Sequence, residues 1–212
     1  MIERLSFVRA EPKKSLLLGL PQPELIHHLG TRGSESITDT GWDPESPLEH
    51  KDCDFIGVSG ILDAINDLPG ALIHIRNALA PGGLAIVSFV GGASLPKLRA
   101  AMLAADGDRP AARIHPMVDP RAAPQLLQRA GWKDPVVDTH TLSVRYSSLR
   151  RLIQDLRDQG LGSALADRAP SLGKAALARA EAAFADQANA DGKVTETFEI
   201  VTLTGRRSLA GT

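Results

Sequence analysis

The chain has 212 residues, a formal net charge of −1 from 24 basic and 25 acidic side chains, and one cysteine, Cys53. Charges this balanced and mixed exclude a nucleic-acid or membrane-surface field, and one cysteine excludes an internal disulfide and fits a reducing compartment. No apolar run reaches membrane-spanning length and Met1-Ile2-Glu3-Arg4 does not open a signal peptide, so a single cytoplasmic domain is expected over residues 1–212.

Near the start, Leu5, Phe7 and Val8 are placed to make a helical turn against a sheet. Ser15-Leu16-Leu17-Leu18-Gly19 reads as a first, buried strand. Glu24 to Leu29 reads as a helix ended by Gly30, with Leu25, Ile26 and Leu29 inward. The neighbouring His27 and His28 would point about 100° apart on that helix, which disfavours a shared metal ion. Glu35 to Asp39 is a second strand. Asp39 at its tip has two readings, a hydrogen-bond acceptor for ribose hydroxyls or the first residue of an Asp-Thr-Gly turn.

Asp54 to Ser59 is again a short apolar run bounded by polar residues. Asn66-Asp67 supplies a helix N-cap and Pro69 falls in the first turn, where its missing N–H costs nothing. Leu68, Ala71, Leu72, Ile75 and Leu79 recur at helical spacing. Pro81-Gly82-Gly83 turns the chain into another buried strand, Leu84 to Val90. Strand, helix, turn and strand make a βαβ unit of a parallel sheet. Ser94 is placed to cap the next helix, and Asp119-Pro120 opens another that ends at Gly131. Val136–Val144, a helix from Ser147 to Asp158, an Ala-rich helix from Ser171 to Ala188 and the strand Val194–Thr204 complete the pattern. A buried core is predicted from Leu16, Leu18, Ile56, Val58, Leu72, Ile75, Ile86, Val87, Leu127 and Ile200.

The blocks NDLPGAL, IRNALAPGGLAIVSFVGG, LLQRAGW, VRYSSLRRLIQDLRDQG and TFEIVTLTG, in this order, resemble the class I methyltransferases that use S-adenosylmethionine (SAM). The branch they resemble holds the malonyl-carrier-protein O-methyltransferase of biotin synthesis and the methyltransferase-like assembly factor of respiratory complex I. The resemblance covers roughly Glu3 to Gly205. It implies an α/β fold: a Rossmann-like sheet with helices on both faces, its last strand antiparallel and a small helical cap around residues 146–190. It also implies a SAM site at the carboxyl ends of the first strands, formed by Gly19 and Leu20, by Asp39 and Thr40, and by Ser59 and Gly60.

The same resemblance exposes five departures. Pro21 and Pro23 stand in the turn where the family has a glycine-rich loop, and each deletes an N–H donor. Leu17 replaces an acidic residue. Residues 40–53 are too few for the helix, third strand and adenine-contacting loop that the family fits there, so the third strand is expected to be missing. Asp63-Ala64 stands where the family has His-Trp. A longer helical segment that in the family precedes Glu3 is expected to be missing.

Three functions are compatible with this reading: a divergent family member with impaired SAM binding that serves as a binding or assembly module, an active SAM-dependent methyltransferase, or an oxidative enzyme acting on a protein side chain. No catalytic or metal-binding residue is singled out. His115 is a candidate general base and Tyr146 a candidate substrate contact, though a lone loop histidine is otherwise structural or solvated. Arg150, Arg151, Arg157 and Lys174 face outward around the expected cap helix. They could receive a protein partner, or form a plain solvated face.

Overall fold

In a computed structural model, described for residues 1–20, 22–162, 165–167 and 169–209, Lys14–Gly19 forms β1, and every residue of it after Lys14 is buried. A strand so covered needs neighbours on both edges and helices on both faces. It pairs in parallel with β2 (Glu35–Asp39) on one side and β3 (Cys53–Ser59) on the other. β4 (Leu79–Val90) lies parallel to β3. With β5 (Lys133–Tyr146) and β6 (Val194–Arg206) the six-stranded sheet runs β2-β1-β3-β4-β6-β5. β6 is antiparallel to β4: Gly82 donates to the Arg207 carbonyl (3.0 Å), whereas Gly91 donates to that of Glu199 (2.7 Å).

Side chains alternate across a strand, so neighbouring residues feed opposite faces. Leu16, Leu18, Ile56 and Val58 pack with Leu72 and Ile75 of α3 (Leu68–Ala78) and Leu127 of α5 (Ala123–Arg129). Leu17, Phe55 and Ile86 pack with Leu5 of α1 (Ile2–Phe7) and with Leu25 and Leu29 of α2 (Pro23–Thr31). The predicted three-layer α/β architecture is present.

No strand forms between Asp39 and Cys53, so β2 is a sheet edge. The expected loss of a third strand holds.

The chain divides into two compact units. One holds Met1–Phe89, Val118–Thr139 and Val201–Thr212. The other holds Val90–Met117 and His140–Ile200, and so contains the segment 146–190 expected as a cap. In this second unit α4 (Pro96–Asp106), α6 (Leu149–Asp158) and α7 (Lys174–Ala185) share a core with Leu95, Leu152, Phe184 and Phe198.

Several local expectations are corrected. Gly30 lies inside α2, which runs on to Thr31. Ile26 and Phe7 are exposed, not inward, and Ile200 is only partly buried. Pro81-Gly82-Gly83 does not end a turn before the strand but lies within β4, as an irregularity in its register with β3. Ser94 does not cap α4. Its hydroxyl accepts from the Glu199 N–H (2.8 Å). The cap comes from Glu196, a fully buried residue of β6. Its carboxylate accepts from the N–H groups of Leu98 (2.8 Å), Lys97 (3.3 Å) and Thr197 (3.0 Å). At the other end of α4, Arg179 donates to the carbonyls of Ala104 and Ala105. Charges of opposite sign thus meet the two poles of the helix dipole.

Tyr146 is buried, and its hydroxyl donates to the Asp155 carboxylate on α6. Burial first, then that hydrogen bond and the Asp155 charge, push the phenol well above its ordinary range. It is the chain's single tyrosine, so it can be titrated by absorbance without ambiguity. At pH 10, where free tyrosine is about half ionised, native Tyr146 is expected to show no tyrosinate band at 295 nm, and urea should restore the band. A raised folded pKa means that above about pH 10 the unfolded chain sheds a proton the native chain retains. Stability is therefore expected to fall as pH rises through the alkaline range, and less steeply in Asp155→Asn. A native protein half ionised at pH 10 would rule this arrangement out.

Candidate functional site

Ligands of open α/β sheets bind beyond the carboxyl ends of the parallel strands. Here the ends of β1, β3 and β4 are tied to one another. Leu20 donates its N–H to the Ser59 carbonyl (2.9 Å), and Gly60 donates to that of Ser88 (3.2 Å). Gly19 has φ +86°, and a β-carbon on it would strike the Ser59 carbonyl oxygen, so only glycine fits this crossing. Gly60 has φ +65°, and the Leu20 side chain lies directly against it. Register sets Asp39 beside Leu18, and Ser59 beside both Gly19 and Ser88.

The predicted residues therefore fall into two groups. Gly19, Leu20, Ser59 and Gly60 meet at one point. Asp39 and Thr40 end the neighbouring strand, where Asp39 Oδ1 accepts the Gly41 N–H (2.9 Å) in a side-chain turn and Thr40 is exposed. Both readings of Asp39 concern one carboxylate, and the turn engages one of its oxygens.

Next to the first group lies a recess of ≈ 420 Å³, lined by Ile2, Glu3, Gln22, Glu24, Ser59 and Ser88. That size falls within the roughly 300–1,000 Å³ of small-molecule clefts. Of the sequence candidates only Ser59 lines it. Ser88 was missed, although a second serine near the end of the next buried run was a signal in plain view. Gln22, the N-cap residue of α2, makes no side-chain cap, and its Nε2 is buried without a protein partner. Pro23 opens that helix in its first turn, while Pro21 lies outside the described residues.

The short connection between β2 and β3 folds on itself. Trp42 Nε1 donates to the Ser46 carbonyl (2.9 Å), and Trp42 packs against the core. Glu45 Oε1 accepts from the Asn66 N–H (3.1 Å) and Nδ2 (3.2 Å), which fastens this connection to the loop after β3. Asp63 and Ala64 are part-buried in that loop. His115 belongs to the second unit, with its Nδ1 buried and unpartnered by protein. Among the described residues no group of histidine, cysteine and carboxylate side chains is arranged to hold a metal, and no helix is long and apolar enough to cross a membrane.

A mostly parallel sheet closed by antiparallel late strands, with a recess at its strand ends, is a Rossmann-like α/β architecture. Residues 21–136 match the methyltransferase domain family. The chain belongs to this family, the class I SAM-dependent methyltransferases. It is 30% identical over 190 residues to malonyl-[acyl-carrier protein] O-methyltransferase 1 of Coxiella burnetii, covering 81% of this chain and 65% of that protein. It is also 30% identical over 163 residues to the mitochondrial arginine hydroxylase NDUFAF5 of Homo sapiens, covering 75% and 47%. The chain thus spans about half to two thirds of the length of these relatives. A methyltransferase structure from Bacillus halodurans C-125 superposes with a TM-score of 0.58 at 8% identity over 98% of each chain. Phosphoethanolamine N-methyltransferase 2 of Haemonchus contortus, solved with S-adenosylhomocysteine, gives 0.51 at 11% identity over 92% of this chain and 49% of that one. At such identities the superpositions speak for the fold alone.

Proposed function

We propose that this chain is a divergent member of the family whose hold on SAM is weakened and which serves as a binding or assembly module. The observation that carries this reading is the β2–β3 connection. Where the family resemblance implies a strand and an adenine-contacting loop, residues 40–52 form a short segment that Glu45 pins to Asn66. One wall of an adenine site is replaced by a closed bridge.

Two features at the methionine end support the same reading. The Leu20 side chain occupies the space over Gly60, and Glu3 and Glu24 put carboxylates on the recess that would take the SAM carboxylate. A carboxylate is favoured at the first turn of α2 by the helix dipole, and there it repels a second one. Gly19, Leu20, Asp39, Thr40, Ser59 and Gly60 remain the residues we assign to whatever cofactor contact persists. Methyl transfer from SAM asks little of acid–base groups and much of positioning, so a loosened cofactor removes most of the activity.

Calorimetry of SAM against the purified chain tests this. We expect a dissociation constant above roughly 1 mM, weaker than about −4 kcal/mol. Micromolar binding, or SAM carried through purification, would overturn the reading and favour the second one, an active methyltransferase on a small-molecule, carrier-protein or protein acceptor. The recess at the strand ends is what favours that alternative. Asp39→Ala should then abolish the binding. The relatives include one protein named as a methyltransferase and one named as an arginine hydroxylase, so family membership fixes no single chemistry. A protein partner would meet the outer face of α6 through Arg151 and Arg157, since Arg150 is engaged by Glu181 (2.7 Å).

A further inference from the structure

Away from the cofactor recess, the first unit carries a second recess of ≈ 250 Å³, where β4 begins and β6 ends. Arg76, Pro81, Gly131, Arg207, Ser208 and Leu209 line it. Two guanidinium groups therefore border one small space. Guanidinium stays charged at any pH a protein meets. Among the described residues neither Arg76 nor Arg207 has a carboxylate at ion-pair distance.

Neutral groups hold both side chains in place. Arg76 Nη2 donates to Asn77 Oδ1 (2.8 Å). Arg207 Nη1 donates to the carbonyls of Leu79 (2.5 Å) and Asn77 (3.4 Å). The Arg207 backbone is fixed too, by reciprocal hydrogen bonds with Gly82 and Gly83 (3.0 Å each). Gly131, at φ +75°, makes the room: a β-carbon there would collide with Arg76 Nη1. Arg76 Nε is buried and has no acceptor in the protein. A buried donor of a charged group without an acceptor is unfavourable. Two like charges at one recess also repel each other, and an anion between them removes that repulsion.

We propose that this recess binds a phosphate group, free or as a phosphate monoester, between Arg76 and Arg207 with the Ser208 hydroxyl as a further donor. Planar guanidinium forks match phosphate oxygens in pairs, which gives the site its geometry. The anchoring by Asn77 and Leu79 means the forks are largely in position before the ligand arrives.

The test uses the whole chain and thermal melting with inorganic phosphate, O-phosphoserine or sodium chloride at matched ionic strength. At 10 mM, inorganic phosphate should raise the melting temperature by about 2–4 °C over chloride. A response to O-phosphoserine at least as large assigns a monoester; a response to inorganic phosphate alone assigns the free ion. Arg76→Gln should lose most of the shift. Ser208→Glu, which places a carboxylate at the recess without touching the anchoring bonds, should lose it as well. Arg151→Gln in the second unit should keep it. No phosphate-specific rise in the unmodified chain, or an equal rise in Arg76→Gln and Ser208→Glu, overturns the proposal. An equal rise is what general salt stabilisation would give.

Discussion

Glu196→Ala is expected to destabilise the protein by about 2–5 kcal/mol. Glu196 is fully buried, and its carboxylate is the acceptor for the N–H groups of Lys97, Leu98 and Thr197. Removing it strands these donors where water is scarce, at roughly 1–3 kcal/mol for each that finds no substitute. It also leaves the first turn of α4 without its cap and without a negative charge at the positive end of the helix dipole. Leu95, just before that turn, holds φ +62°, an uncommon conformation for a leucine. Its strain is tolerated because the surrounding bonds fix it. Glu196→Gln keeps the shape and one acceptor oxygen and should cost about half as much. Urea unfolding at neutral pH reads both, with an unchanged slope showing that stability alone moved. A loss below roughly 1 kcal/mol in Glu196→Ala would mean that water replaces the cap.

Ile56→Ala is expected to cost about 2–5 kcal/mol through lost burial and the cavity left behind. Ile56 sits at mid-sheet, beside Leu16 on one strand and Ala85 on the other, with no solvent exposure. It packs in the cluster that holds Leu72, Ile75 and Leu127. Ile56→Val removes a single methylene and should cost only about 0.5–1.5 kcal/mol. The ratio of the two losses, read in the same denaturant series, checks the assignment. Equal and small losses would place Ile56 at a site able to collapse.

Much of the fold was legible because its signals are local. β1 and β3 announced themselves as short apolar runs, and the Asp67 cap bonds the Gly70 N–H (2.8 Å) as the Asn-Asp-x-Pro pattern implied. The errors share one cause, a partner distant in sequence. Gly82 and Gly83 stay in β4 because Arg207 supplies their hydrogen bonds. Ser94 yields the α4 cap to Glu196, about a hundred positions on. Ile200 fits the apolar pattern of β6 yet is only partly buried. In the candidate site, parallel strand order alone brought Gly19 and Ser59 together. The position of the Leu20 side chain over Gly60, and the bridge from Glu45 to Asn66, depend on loop packing that no periodicity encodes.

The bare flank of β2 has a consequence for self-association. An exposed strand edge offers unpaired backbone groups to any passing chain, and long, flat, apolar edges seed aggregates. β2 is short, Glu35-Ser36-Ile37-Thr38-Asp39, with an acidic residue at each end and a single large apolar side chain, Ile37, turned to the core. Two such edges meeting side by side in parallel would set like charges against each other. Asp39 also bends the chain away at once by accepting the Gly41 N–H. An interior strand such as β1, Leu-Leu-Leu through its middle, could not stand there. β2 has the composition of a terminus of the sheet, built to stop pairing where it stops.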